Sequence, residues 1–258
     1  VPRFSVNLSF LFAELALDDR LDAAAEHGFR GVEYWSPYES DLGALRARLR
    51  KHDLEQVLFN FPMGDAAAGD RGMACRPDRI AEFRRGVGDA VTAARELDCT
   101  RLNCLAGVVD PNVPSDVTRA TLVENLRFAA DALAAIGATL LVEPLNQLDV
   151  PGFAVVGTAS ALNLIREVAM PNVALQYDCY HAQRSEGNLI ETIRSHVDAI
   201  AHIQLADCPG RHEPGTGEIA FDRVLAEIDR SGYAGWVGLE YKPSLSVPET
   251  FSWITRQG

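Results

Sequence analysis

Short apolar, β-branched runs alternate with longer amphipathic segments eight times along the chain, and no other feature limits its fold as tightly. Strands are predicted at Phe4–Leu8, Gly31–Trp35, Gln56–Phe61, Arg101–Leu105, Thr139–Leu145, Val173–Tyr177, Ala201–Leu205 and Trp236–Tyr241. Helical patterning fills the intervals at Leu17–His27, Leu42–His52, Arg79–Leu97, Val117–Ile136, Ala159–Val168, Leu189–Val197 and Phe221–Ser231, with a last helix near Glu249–Arg256. In Val117–Ile136, for example, Leu122, Leu126, Ala129, Ala130 and Leu133 recur at helical spacing. Gly28, Gly137 and Gly232 each follow a helical run, as left-handed C-caps do. Strands alternating with helices imply right-handed βαβ units and a parallel sheet. Eight such units in 258 residues point to a closed (β/α)₈ TIM barrel rather than an open sheet.

No linker or low-complexity stretch interrupts the pattern, so residues 1–258 read as a single domain. Gly28-Phe-Arg-Gly-Val-Glu-Tyr is weakly echoed by Gly232-Tyr-Ala-Gly-Trp-Val-Gly-Leu-Glu-Tyr, as a repeated βα unit would be. The balance of 24 basic against 36 acidic residues, net −12, argues against nucleic acid as the main ligand, because phosphate backbones call for basic surfaces. The longest apolar stretch, Ala132–Val142, ends at Glu143 and falls short of the roughly 18 residues that a membrane span needs. The N-terminal segment, with one Arg and with Glu14 in its apolar part, makes a poor signal peptide. The five cysteines are odd in number and lack a Cys-x-x-Cys pair, which suggests free thiols and a cytoplasmic location.

The chemical signal lies where the later strands end. Four consecutive strands finish in oxygen donors: Glu143, Asp178, Gln204 and Glu240. A carboxylate this close to a barrel core costs several kcal/mol unless it is paired or bound to metal. One alone would read as a structural ion pair; four at the same end of successive strands read as a convergent set. An all-oxygen set suits one hard divalent cation, Mg²⁺ or Mn²⁺. Glu143 and Glu240, three strands apart, would flank that cation, and paired carboxylates beside a Lewis acid can move a proton between neighbouring carbons. His181, expected in the loop after strand 6, is read as a substrate contact because it follows Asp178 by three residues. His202 shares a face with Gln204 but lies deeper and is read as structural. Asn7 and Asn60 are weaker candidates at strand ends, and Glu33 could support the pocket or pair with an Arg. Lys242, one of only two lysines, would meet a substrate carboxylate or reach to solvent. Two long loops, Pro62–Asp78 with Arg71 and Asp207–Glu218 with Arg211, follow strands and would lie on the catalytic face of a barrel.

Several stretches together resemble the hydroxypyruvate isomerase family, within the xylose-isomerase-like group of sugar isomerases and epimerases. They are Asn7-Leu-Ser, Gly31-Val-Glu-Tyr with Pro37-Tyr38, Gly64-Asp through Gly69-Asp-Arg-Gly, Thr121-Leu-Val-Glu-Asn-Leu-Arg, Val142-Glu-Pro-Leu-Asn, Gln176-Tyr-Asp-Cys-Tyr-His-Ala-Gln-Arg, Glu213-Pro-Gly-Thr-Gly-Glu-Ile and Gly235-Trp-Val-Gly-Leu-Glu-Tyr-Lys-Pro. The resemblance spans nearly the whole chain. It implies a xylose-isomerase-like barrel that interconverts hydroxypyruvate and 2-hydroxy-3-oxopropanoate, with Glu143 and Glu240 as acid/base pair and Glu143, Asp178, Gln204 and Glu240 as metal ligands. Related ketose 3-epimerases carry His where Gln204 stands and Glu where Asp149 stands, which weighs against a ketose substrate. A relative acting on 2-oxo-tetronate is the alternative. An oxo-acid substrate calls for local cations, and Arg71 and Lys242 are the candidates. A metal-dependent endonuclease of the same barrel type would need several histidines and a basic face, and a catalytically dead barrel would have lost one of the two glutamates. A homo-oligomer is left open.

Overall fold

The computed structural model describes residues 2–255. Eight parallel strands close into a barrel in sequence order: β1 (Arg3–Asn7), β2 (Gly31–Tyr34), β3 (Glu55–Asn60), β4 (Arg101–Asn103), β5 (Thr139–Val142), β6 (Val173–Asp178), β7 (Ile200–Leu205) and β8 (Trp236–Leu239). β8 pairs back onto β1, with Arg3 opposite Trp236 and Val6 opposite Leu239. The expected strands are all present, each within a few residues. β5 and β8 stop short of their expected ends, so Glu143 and Glu240 stand just past the pairing. Pro144 and Pro243 lie close beyond and have no N–H to extend a ladder.

Helices α1 (Leu17–Glu26), α2 (Leu42–Lys51), α3 (Ile80–Glu96), α4 (Ser115–Ala134) and α5 (Gly157–Val168) cover the first five intervals. α6 (Cys179–Ser185) and α7 (Leu189–His196) follow β6, and α8 (Phe221–Arg230) follows β7. The pattern that shapes them is clear in α8, where Phe221, Val224, Leu225 and Ile228 are buried at helical spacing against the barrel. The expected final helix is split into a 3₁₀ turn at Val247–Phe251 and a short α9 (Ser252–Thr255), while its expected end at Arg256 lies outside the described residues. α6 was not expected: seven residues are too few to show a periodicity, and what starts it is a cap. The Asp178 side chain accepts from the backbone N–H of Tyr180 and of His181. His181 therefore sits in the first turn of a helix, not in a loop.

The N-terminal end of the barrel is plugged by Trp236, packed with Val57, Leu58 and Leu141 and covered by the Arg3 guanidinium 4.0 Å from the indole centroid. Gly31 makes room for it, since a Cβ there would lie 2.9 Å from the ring. The opposite end is open. The five cysteines are free and buried, and no helix among the described residues is long and apolar enough to cross a membrane.

Candidate active site

The floor of the open end is organised around Glu33, which is fully buried on β2. Ser5 Oγ (2.8 Å) and Asn7 Nδ2 (3.1 Å) donate to its carboxylate from β1. From β7, His202 Nε2 and Gln204 Nε2 each lie 2.8 Å away. Burial alone would raise this carboxyl, but His202 and the donors outweigh it and hold it below the ordinary value. Its ring partner is a histidine and not the arginine considered from sequence. Gly238, on β8, completes the niche: a Cβ there would stand 2.5 Å from the Glu33 oxygens. His202 is fully buried, as expected of a structural residue.

Glu143, Asp178 and Glu240 are all buried on the layer above. Asn103 Nδ2 donates to Glu143 Oε2 at 2.6 Å. Glu240 collects more donors: Asn7 Nδ2 at 3.1 Å and Trp35 Nε1 at 3.0 Å on Oε1, with Arg211 Nη2 at 2.6 Å on Oε2. The same Nη2 is 3.3 Å from Asp178 Oδ2. Burial raises all three carboxyls. For Glu143 the nearby Glu240 and Asp178 charges push the same way and take it well above the usual carboxylate range. Asp178 is pushed up to about 7 by burial, with Arg211 opposing. Glu240 is raised by burial and partly relieved by Arg211.

Arg211 reaches this position from the long loop after β7, with a left-handed backbone (φ 56°) unusual for a side-chain-bearing residue. The loop is tied down by Asp207, whose buried carboxylate accepts from the amides of Cys208, Gly215, Gly217 and Ile219. The Lys242 amide then donates to the Arg211 carbonyl at 2.7 Å. In the sequence Arg211 stands out only as one member of a long loop. The cue lay in the length of that loop and in its position after a strand that carries a ligand candidate.

His181 Nδ1 accepts from the Asn146 backbone N–H at 3.2 Å. An N–H can only donate, so the ring proton sits on Nε2, which points at Asp178 Oδ2 3.8 Å away. Burial, with Arg211 and Arg184 nearby, holds the ring well below the usual histidine range, that is, neutral. Glu143, Asp178 and His181 bring ligand atoms within 4.8 Å of one another. The tautomer makes His181 a donor toward the cavity, so the carboxylates are the ion-binding members of that group. Gln204 Oε1 accepts from Gln176 Nε2 at 2.6 Å and keeps a second lone pair.

A cavity of about 550 Å³ opens over these groups, and its wall includes Glu143, His181, Gln204, Glu240, Arg71 and Lys242. Asp178 lies just beneath the wall, its side chain 1% exposed. The seven residues selected from sequence thus come together at one end of the barrel. Arg71 donates to the carbonyls of Asp70 and Ala66 in its own loop, and Lys242 is an exposed residue at the rim. Asn7 and Asn60 also line the cavity, as do Trp35, Asn103 and Gln176, which the sequence reading missed. Asn103 ends β4, Trp35 follows β2 and Gln176 lies two residues inside the end of β6, but amides and indoles there carry no charge signal.

The sequence profile described as xylose isomerase-like TIM barrel matches residues 21–257. A hydroxypyruvate isomerase of Escherichia coli K12 is 48% identical over 252 residues, covering 98% of each chain. A 2-oxo-tetronate isomerase of Cupriavidus necator is 41% identical over 254 residues, again covering 98% of each. Among solved structures, a Brucella melitensis protein described as AP endonuclease, family 2, superposes with a TM-score of 0.96 at 42% identity over 99% of both chains. The barrel, its matched profile and these full-length relatives place the chain in the xylose isomerase-like TIM barrel family of enzymes.

Proposed function

We propose that the protein is an intramolecular oxidoreductase that interconverts hydroxypyruvate and 2-hydroxy-3-oxopropanoate by proton transfer through an enediolate. The observation that carries this reading is that Glu143 and Glu240 line one cavity, with the Arg211 guanidinium between Glu240 and Asp178. One carboxylate takes a proton from C3, and the electrons of that C–H bond form the C2–C3 double bond while charge moves onto the C2 oxygen. A proton then returns to C2 from the other carboxyl or the same one. The hydroxyl proton on C3 passes to the C2 oxygen, giving the aldehyde. His181 Nε2–H is set to donate to the oxygen on which charge develops, and a neutral imidazole does this without adding a cation. Arg71, Arg211 and Lys242 supply positive charge for the substrate carboxylate.

A divalent cation fits this donor set. Three buried carboxylates face one guanidinium at the centre, which leaves a negative excess that an oxygen-liganded Mg²⁺ or Mn²⁺ would offset. Glu143, Asp178, Gln204 and Glu240 would hold it. When bound, it would act as a Lewis acid on adjacent carbonyl and hydroxyl oxygens. The name of the Brucella protein does not extend to this chain: a net charge of −12 and a single histidine at the site offer little to a nucleic-acid phosphate.

The test is a panel of three- and four-carbon oxo-acids with a metal titration. Hydroxypyruvate should turn over best, and turnover in D₂O should place deuterium at the carbon that receives the proton. A higher kcat/KM on 2-oxo-tetronate would move the assignment to the longer substrate. Complete retention of substrate hydrogen, with near-normal kcat in both Glu143→Gln and Glu240→Gln, would establish a hydride shift instead.

A further inference from the structure

Glu33 fixes the direction of a chain of amides that ends in the cavity. An ionised carboxylate only accepts, so Gln204 must turn its NH₂ toward Glu33, at 2.8 Å. Its oxygen then faces Gln176, which must present its own NH₂, at 2.6 Å. Gln176 Oε1 is what remains, and it has no partner although the residue is only 1% exposed. Asn103, on β4, stands on the other side of Glu143 from Gln176, on β6. Its NH₂ is spent on the Glu143 carboxylate, and its buried Oδ1 is also unpartnered. Both residues line the cavity. At the Glu240 side the unpartnered buried atom is a donor, Arg211 Nε, beside the Trp35 and Arg211 N–H groups already on Glu240.

We infer that the cavity is polar end to end: its acceptor side, which carries Gln176 Oε1 and Asn103 Oδ1 on the strands either side of Glu143, takes the hydroxyl on the reacting C3 carbon, and the donor side around Arg211 takes the carboxylate. This rests on the proposed oxo-acid reading and adds to it the orientation of the substrate and two residues that bind it. The physical reason is complementarity. A buried acceptor left without a donor costs about 1–3 kcal/mol, so a ligand that brings a hydroxyl to it is preferred over one that does not. A carboxylate or phosphate placed there would meet two more oxygens beside Glu143 and be repelled.

Direct calorimetric binding of D-glycerate and D-lactate tests this independently of turnover. The two share a carboxylate and a C2 hydroxyl and differ only in the C3 hydroxyl. The wild-type protein should prefer glycerate by about tenfold or more. Gln176→Met should cut that preference to near unity, and Asn103→Leu should reduce it by itself. Arg211→Gln should weaken both ligands by a similar factor and leave their ratio unchanged. Circular dichroism confirms the fold of each variant, and either Gln176→Met or Asn103→Leu suffices. No preference in the wild type, or a preference that both variants keep, overturns the inference. So does a ratio that collapses only in Arg211→Gln. Absence of hydroxypyruvate turnover with the binding pattern intact would remove the proposed reaction and leave the subsite standing.

Discussion

Arg211 Nη2 lies 2.6 Å from Glu240 Oε2, so a loop residue and a residue just past β8 form the ion pair around which the site is balanced. Glu240 was legible as an acid at a strand end. Its cation comes from a backbone in the left-handed region, delivered by a loop that Asp207 ties to itself.

Arg211→Gln removes the guanidinium that, alone among the described residues, touches both Asp178 and Glu240. Truncating one partner of a buried charge pair costs about 2–5 kcal/mol in binding. We expect kcat/KM on hydroxypyruvate to fall by about 10²-fold or more. Arg211→Lys should restore little, because an ammonium cannot present the same planar fork. Steady-state kinetics on both variants checks this, and near-wild-type rates for Arg211→Gln would contradict it.

Asp178, pushed up to about 7 by burial with Arg211 opposing, sets a pH dependence in the metal-free protein. A carboxyl raised in the folded state contributes stability that is complete below its unfolded value of about 3.9 and is lost as pH rises through the folded value. Thermal unfolding in chelator should therefore show Tm falling between about pH 4 and 7. Asp178→Asn should flatten that slope, and the variant should be the more stable of the two at pH 8.

The same ionisation governs cation binding, because ligands must be deprotonated. Mn²⁺ or Mg²⁺ should raise Tm at pH 8 and do so much less at pH 5. At a hundredfold excess over Kd the stabilisation is about 2.7 kcal/mol. Rigorous chelation should abolish turnover, and readdition of the cation should restore it. Full activity after chelation would show that the chain's own cations suffice.

Glu33→Gln removes the negative charge and puts an NH₂ where one of the two oxygens now serves Ser5, Asn7, His202 and Gln204, so the donors at that position lose their acceptor. Leaving a buried polar group unsatisfied costs about 1–3 kcal/mol. Glu33 is a carboxyl held below its ordinary value, so its contribution is present above that value and lost as pH falls through the depressed one. Urea denaturation at pH 7 should show the full deficit, and the gap to wild type should narrow below about pH 4.

Arg71→Met and Lys242→Met act at the rim, away from the buried acids. Each should raise KM for an oxo-acid several-fold with little change in kcat or in cation affinity. Initial-rate kinetics and a Mn²⁺ titration separate these. Unaltered KM in both variants would leave the substrate carboxylate to Arg211 alone.

The barrel was legible from sequence because burial is recorded locally: as a short continuous apolar run in a strand covered on both faces, and as a 3.6-residue apolar period in a helix. Glu143, Asp178, Gln204 and Glu240 were legible for the opposite reason, since polar groups at the ends of apolar strands are conspicuous. His181 could be selected from its spacing to Asp178, but the helix that holds it depends on a side-chain cap, and its proton position depends on Asn146, 35 residues away. The pairings depend on which groups come to face one another inside the closed barrel. Glu33 meets His202 across 169 residues, Trp35 meets Glu240 across 205, and Arg211 meets Asp178 across 33. Local sequence determines which groups face the open end of the barrel. Only the closed barrel decides which donor each carboxylate receives, because hydrogen bonds and charge pairs act over a few ångströms in space and leave no period along the chain.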